Sequence, residues 1–507
     1  MLTAACGSTA SPYRQDALRR QAEGRSSGGG SGVDGSQGDQ VSGAGGADNG
    51  SGDTTNSGSS SSGANRSASG SDNTGSSAHK STARPSGPGV SDTTITVGMV
   101  NVLNNAAEQA ALGNTSASSG DPKNEALAVV KDINDHGGIR GRKLAIIFHD
   151  VDATSNQPQA QTEQQTCEDF TVDHKSLVTL GFNSDSYLAC TKAAGSVAVS
   201  GSLANASDDV FTKYPWYYDV QMISTNKLVR NHVAELVRAK YFTGWDNTNG
   251  APSNAPVKVG VLYPDQAQWD AVVNSVLLPA LKAAGHPVDS QDVVRWHFPE
   301  SNADNGSSIA QIQSAILRFH SDNVTHVLPM DVNSIGFFAQ PAEAQHYRPR
   351  YGLNSDTQVQ SFAGGLVPNV QLHGALGLGW APSFDLPAAA NSTTGPNAGP
   401  GLKHCLDVMS KAGFTFSDQN SRGVALLVCD EFYSIRDSIN AIPSSAQIDA
   451  TTFMQGLESL GSHFAIAALP AELFGPGKHY PVQRGYHWVW NDSCPCMSYT
   501  GSPFDLN

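Results

Sequence analysis

Polar side chains able to hold a small molecule gather in this chain at the ends of short apolar runs. Asn101 and Asn104 follow the run at 95–100, and Asn183, Ser184 and Ser186 follow the run at 176–181. Ser202 and Ala204 stand in the turn after 197–200. Further on come Asp265 and Trp269, then Asp331 and Asn333, then Asn354 and Asp356. Carboxamides, hydroxyls and carboxylates suit hydrogen bonding and charge pairing with a solute. Any helix start selects the same residue types, so capping is a competing account of each turn.

Covalent chemistry asks for more than these turns supply. Ser224-Thr-Asn-Lys227 fits an S-x-x-K pattern, and Ser321-Asp-Asn323 follows, but no K-T-G completes the set. Gly374, Gly377 and Gly379 have the wrong order for a dinucleotide turn. His149, Asp150 and Asp152 offer metal-capable groups, yet nothing else completes a ligand set. G-x-S-x-G occurs once, at Gly24–Gly28 inside the Gly/Ser-rich leader and away from any strand–helix turn, and H-E-x-x-H does not occur. The reading is a binding protein without cofactor or metal, not an enzyme.

The elements that must position these turns are legible from Asp121 to Asp150. Asp121 can cap a helix, Pro122 suits its first position, and Glu125 falls in the first turn. Ala126, Leu127, Val129, Val130 and Ile133 recur at helical spacing, and Gly137-Gly138 end the helix. The apolar run 144–148 then reads as a strand buried on both faces. With the strand at 95–100, this makes a right-handed strand–helix–strand unit. Alternation continues through helices at 157–173 and 186–194 and strands at 176–181 and 197–200. A second series follows, with helices at 226–240, 267–284, 308–320 and 333–346. Its strands fall at 257–263, 293–298, 325–330 and 350–353. Two such runs predict an α/β fold of two doubly wound lobes. In open parallel sheets ligands bind beyond the carboxyl ends of strands, where these turns lie.

The words IN–GGI–GRKL–D within the run from Ala128 to Asp150 resemble the first crossover of the type 1 periplasmic binding proteins of ABC transporters. The branched-chain amino acid (Leu/Ile/Val) group is the nearest likeness, and it extends more weakly from Thr93 to the C-terminus. The resemblance implies two lobes joined by a three-strand hinge. Lobe I would comprise 91–218 and 379–462, and lobe II 219–378 and 463–507. The run 374–380 would be a crossover strand returning to the first lobe. It also implies that Ser184, Ser186, Ser202 and Ala204 hold a ligand carboxylate through hydroxyls and backbone N–H groups. Trp269 would cover the ligand, and an acid near Asp331 or Asp356 would pair with an α-ammonium. The family's usual glutamate has no counterpart here, which leaves amino acid specificity open. The implied function is capture of a small polar solute, such as an amino acid, for an ABC transporter permease. A sensor of the same fold acting on a membrane receptor, or a secreted hydrolase, are the other classes considered.

Bulk properties fit this reading. The 507 residues carry a net charge of −15, which argues against a nucleic-acid partner. Seven cysteines leave six once Cys6 is set apart, an even set suited to an oxidising compartment. Cys167/Cys190 and Cys405/Cys429 would each close a loop of about 24 residues, contributing roughly 3 kcal/mol. Cys494 and Cys496 could pair locally in a tight ring, and spacing alone leaves other connectivities open. Small residues before Cys6, with Gly and Ser after it, resemble the end of a lipoprotein signal, although Thr3 replaces the usual leucine. That reading places residues 1–21 in a signal remnant, expects translation to start upstream of Met1, and anchors the protein through lipid on the outer membrane face. Residues 22–90 are dominated by Ser, Gly, Asn and Asp and read as a disordered tether, reaching about 50 Å for roughly 80 residues.

Overall fold

Strand β1 (Thr94–Leu103), helix α1 (Pro122–Asp135) and strand β2 (Lys143–Asp152) form the opening unit. The Asp121 side chain accepts from Asn124 N at 3.2 Å, and Pro122 takes the first helical position. Glu125 does more than sit in the first turn: it is buried and accepts from Asp121 N at 3.2 Å, a reciprocal cap. Gly138 N donates to Ile133 O at 2.9 Å, with φ of 97° at Gly137 and 70° at Gly138. Those positive angles are what an L side chain resists.

The computed structural model describes residues 86–107, 120–201, 203, 206–394, 398–416, 418–461, 466–469 and 474–507. Its first sheet is parallel and runs β2-β1-β3-β4-β5, with β3 at Val178–Leu180, β4 at Val197–Ser200 and β5 at Tyr217–Asp219. The order corrects one expectation. β2 is an edge strand and only half buried, because no further strand covers its outer side. Helices α2 (Gln159–Glu168), α3 (Asp185–Ala194) and α4 (Asp208–Lys213) connect the later strands.

After β5 the chain enters a second sheet through helix α5 (Thr225–Arg238) and a short hairpin, β6 (Trp245–Asp246) with β7 (Ala251–Pro252). Strands β8 (Val259–Pro264), β9 (Val293–Trp296), β10 (His326–Pro329) and β11 (Arg350–Asn354) are parallel. Helices α6 (Ala267–Val272), α7 (Asn305–Ser321) and α8 (Val332–Ala344) lie between them. The full order is β14-β13-β12-β11-β10-β8-β9.

The run at 374–380 forms the strand from which the chain crosses back to the first sheet's helices. Strand β12 (Leu376–Gly379) stays in the second sheet, parallel to β11 and antiparallel to β13 (Arg484–Asn491). Glycine makes the close approach possible, since a Cβ at Gly377 would lie 1.7 Å from Leu353 O. Beyond β12 the chain supplies α9 (Pro400–Lys411), α10 (Gln419–Ala441) and α11 (Ala450–Ser459). Helix α10 packs on α1, and Tyr433 donates to Asp132 at 2.9 Å. The chain then returns to pair β13 with β14 (Cys496–Asp505).

Thus the chain passes between the sheets after β5, after β12 and before β13. At the second passage Asp385 is fully buried and accepts from Ser355, Tyr499 and the backbone N–H groups of Trp380 and Ala381. Burial pushes its carboxyl up to about 7 despite those donors. Disulfides join Cys167 to Cys190, Cys405 to Cys429, and Cys494 to Cys496. The first ties α2 to α3, and the second ties α9 to α10.

Candidate functional site

A cavity of about 220 Å³ lies where the carboxyl ends of the two sheets face each other. From the first sheet it takes Val102 at the end of β1, Val151 and Asp152 at the end of β2, and Phe182 and Asn183 after β3. From the second it takes Gln266 and Gln268 after β8, and the loop 298–302 after β9. Asp331 after β10 and Asp356 after β11 complete that wall. Strand ends in open α/β sheets expose helix N-termini and turn groups to a common crevice.

Each acid is held differently. Asp152 accepts from Asn104 Nδ2 at 3.0 Å and from Thr154 N at 2.8 Å, which keeps its carboxyl below the usual range. Asp331 caps α8, accepting from Ser334 N at 3.0 Å and Asn333 N at 3.3 Å. Burial nevertheless raises its pKa. Asp356 is 3% exposed, and its carboxylate makes no hydrogen bond or ion pair among the described residues. Burial, with the neighbouring charge of Asp331, pushes it well above the carboxylate range. The turn that carries it is fixed by Asn354, which accepts from Asp356 N at 2.8 Å and donates to Met330 O at 3.2 Å.

The loop 298–302 bridges the lobes. Its root is set by Asp265, which accepts from His297 Nδ1 at 2.8 Å and Phe298 N at 2.8 Å. That bond raises the His297 pKa. At its tip, Glu300 O accepts from Gln159 N at 2.9 Å, and Asn302 Nδ2 donates to Ala153 O at 3.0 Å. The two walls are therefore in direct contact at the cavity mouth.

Of the residues expected at a site, Asn183, Asp331 and Asp356 line this cavity. Asn104 reaches it only through Asp152. Ser184 and Ser186 do not line it: both donate to the buried Glu163, Ser186 at 3.2 Å, and Ser184 also caps α3. A carboxylate inside a fold demands donors, and these hydroxyls answer it. Trp269 does not line it either. It is fully buried in the core, while its neighbours Gln266 and Gln268 reach the cavity from the same helix start. Ser202, Ala204 and Cys6 lie outside the described residues.

Sequence reading passed over Gln157, Gln159, Thr162, Asn302 and Asn305, which also line the cavity. The loop 298–302 stood one step past a strand end, so the rule used for the other turns would have found it. Ser224 and Lys227 are parts of a helix start, with Ser224 Oγ accepting from Lys227 N at 3.3 Å. Of the strand-end trio, His149 pairs with Asp169 at 2.8 Å, and the described residues hold no group of three or more metal-capable side chains suited to an ion.

Comparison with solved structures places this architecture. A possible leucine/isoleucine/valine-binding protein from Rhodopirellula baltica matches with a TM-score of 0.53 at 12% identity, covering 81% of this chain and 96% of its own. A Streptococcus pneumoniae branched-chain amino acid transporter substrate-binding protein, solved with isoleucine, matches at 0.51 and 13% identity, covering 82% and 99%. A Rhodopseudomonas palustris ABC transporter solute-binding protein, solved with 3,4-dihydroxybenzoic acid, matches at 0.55 and 12% identity, covering 82% and 98%. The fold is that of the type 1 periplasmic binding proteins. No family model matches the chain, and no curated protein sequence does. In this fold the cavity occupies the cleft between lobes. Among the described residues no helix is long and apolar enough to cross a membrane.

Proposed function

We propose that this protein is an extracytoplasmic solute-binding protein. It captures a small polar solute, such as an amino acid, between its lobes and presents it to an ABC transporter permease. One observation carries the reading: a cavity of about 220 Å³ walled by strand ends of both sheets and bridged at its mouth by the loop 298–302. That volume is below the usual range for drug-sized ligands and suits a small solute. Asn183, Asp331 and Asp356 are the side chains proposed to meet it, with Ser202 and Ala204 as backbone and hydroxyl partners from the first lobe. The solved neighbours, in complex with isoleucine and with 3,4-dihydroxybenzoic acid, support a solute-binding role. Binding, not turnover, is the proposed activity: the described cavity wall offers carboxylates, carboxamides and hydroxyls but no His, Lys or Cys.

Export fits the three disulfides, which persist outside reducing compartments. In this proposal Cys6 carries the lipid anchor and the tether ends at residue 85, short of the expected 90, because Gly87 N donates to Ile448 O at 2.9 Å and Val90 pairs with Ile95. The test is to purify the full chain under native conditions, release its small molecules by denaturation and identify them by mass spectrometry. A single solute near stoichiometric amount is the expected result. No retained solute, together with no melting shift across a broad solute panel, would overturn the reading. Membrane retention of a Cys6→Ala variant expressed from the upstream frame would overturn the anchor alone.

A further inference from the structure

The chemistry of the cavity wall narrows the solute class, an inference that rests on the solute-binding reading. Asp152, Glu300, Asp331 and Asp356 line the cavity, and among its described lining residues there is no Lys, Arg or His. Acidic residues on a surface would mean little. Asp356, however, is 3% exposed, lines the cavity, and has neither hydrogen bond nor ion pair among the described residues. A carboxylate withdrawn from water without a partner is costly, and a ligand cation is the group that relieves it.

Two helix starts among the described residues, where a ligand carboxylate could be received, are already occupied. The start of α8 has its free N–H groups taken by Asp331, whose charge offsets the helix dipole. At the start of α3, Ser184 is the cap and also serves the buried Glu163. A ligand carboxylate beside Asp331 and Asp356 would either meet like charge or hold both acids protonated, whereas a ligand cation favours their ionised form. Between its carboxamides and hydroxyls the wall carries apolar residues on both sides, Val102, Val151 and Phe182 on one lobe and Phe298, Pro299 and Val332 on the other. It suits a short carbon body.

We propose that, within the class of small polar solutes, the cleft selects an organic cation bearing a protonated amine and lacking a carboxylate, in preference to an amino acid. The ammonium would sit against Asp356, with Asp331 adding field and carboxamides such as Gln157 and Gln268 ordering the rest of the solute.

The experiment uses matched pairs that differ only by the carboxylate: L-leucine and isopentylamine, L-lysine and cadaverine, L-arginine and agmatine. Each is titrated calorimetrically into the full chain after co-purified solute has been removed. At least one amine should bind roughly tenfold or more tightly than its parent amino acid, because the parent brings a charge the wall repels. Asp356→Asn should weaken that amine by roughly tenfold or more, the scale for a hydrogen bond to a charged group. If that variant does not fold, Glu300→Gln on the exposed loop should weaken it by about twofold. Equal or tighter binding of the parent amino acid overturns the inference, as does an amine affinity indifferent to the substitution that folds. Capture of a neutral or anionic solute in its place overturns the cation class and leaves the solute-binding reading standing. Failure of every solute, charged or neutral, overturns both.

Discussion

The backbone N–H of Gln159 donates to the carbonyl of Glu300 across 2.9 Å, joining the first residue of a first-lobe helix to a loop of the second lobe. With Asn302 reaching Ala153 at 3.0 Å, it closes the mouth of the cavity. Both bonds are between neutral groups at a solvent-facing rim, so each is worth about 1 kcal/mol net. Closure through bonds of this strength depends on what the solute adds in the closed form.

Asn302→Ala should therefore shift the empty protein toward an open form by about fivefold, the population change for about 1 kcal/mol. Small-angle scattering should show a larger radius of gyration than the parent, and saturating solute should restore the parental value. An unchanged radius in the empty variant would mean that this contact does not govern closure.

Trp269 is expected to act through stability. It lies in the core with no exposure, and truncating a buried tryptophan costs about 3–5 kcal/mol. Trp269→Ala should lower the denaturation midpoint of the empty protein by that amount. A solute should still raise the melting temperature of the variant as it does the parent's. Gln268→Ala should do the reverse, leaving stability near parental and weakening binding by about 1 kcal/mol.

This contrast shows what the sequence could and could not say. The α1 region was readable because its signals agree: a capping Asp121, Pro122, a helical apolar period and two glycines at positive φ. Asn183, Asp331 and Asp356 were findable because they follow strand ends, a rule that holds without knowing the fold. Side-chain direction was not findable. Trp269 and Gln268 are adjacent, and only the packing of α6 decides which faces the cavity. Ser184 and Ser186 looked available until the fold brought Glu163 beside them. The partners of β12 were equally out of reach, because they depend on contacts distant in sequence.

The two long-loop disulfides should be separable in their effects. Cys167–Cys190 spans 23 residues and Cys405–Cys429 spans 24, so each should contribute about 3 kcal/mol by restricting the unfolded chain. Replacing Cys405 and Cys429 together by serine should lower the unfolding free energy by about that amount. Replacing all four should cost roughly twice as much if the sites are independent. Chemical denaturation with tryptophan fluorescence gives both values, and a loss below about 1 kcal/mol per bridge would contradict the chain-entropy account.

Buried acids set the last expectation, which concerns pH. Burial pushes Glu125, Asp385 and Asp430 up to about 7 and Glu431 up to about 8. In the unfolded chain such carboxyls titrate near 4. Between those values the unfolded state releases protons that the folded state keeps, so stability falls as pH rises. The contribution is complete below the unfolded value and lost as pH climbs through about 7 to 8. Opposing groups act lower down: hydrogen bonds hold Asp152, Asp185, Asp246 and Glu343 below their ordinary values, and their stabilisation is lost in acid. The melting temperature of the empty protein should thus peak near about pH 4 and decline toward about pH 8. Glu431 isolates the cause, since it is 1% exposed and its Oε1 has no partner among the described residues. Glu431→Gln keeps the shape and removes the ionisation, so the decline should become shallower at its alkaline end. A melting temperature that rises steadily from about pH 5 to about pH 8 in the parent would show that these acids are ionised in the fold and otherwise compensated.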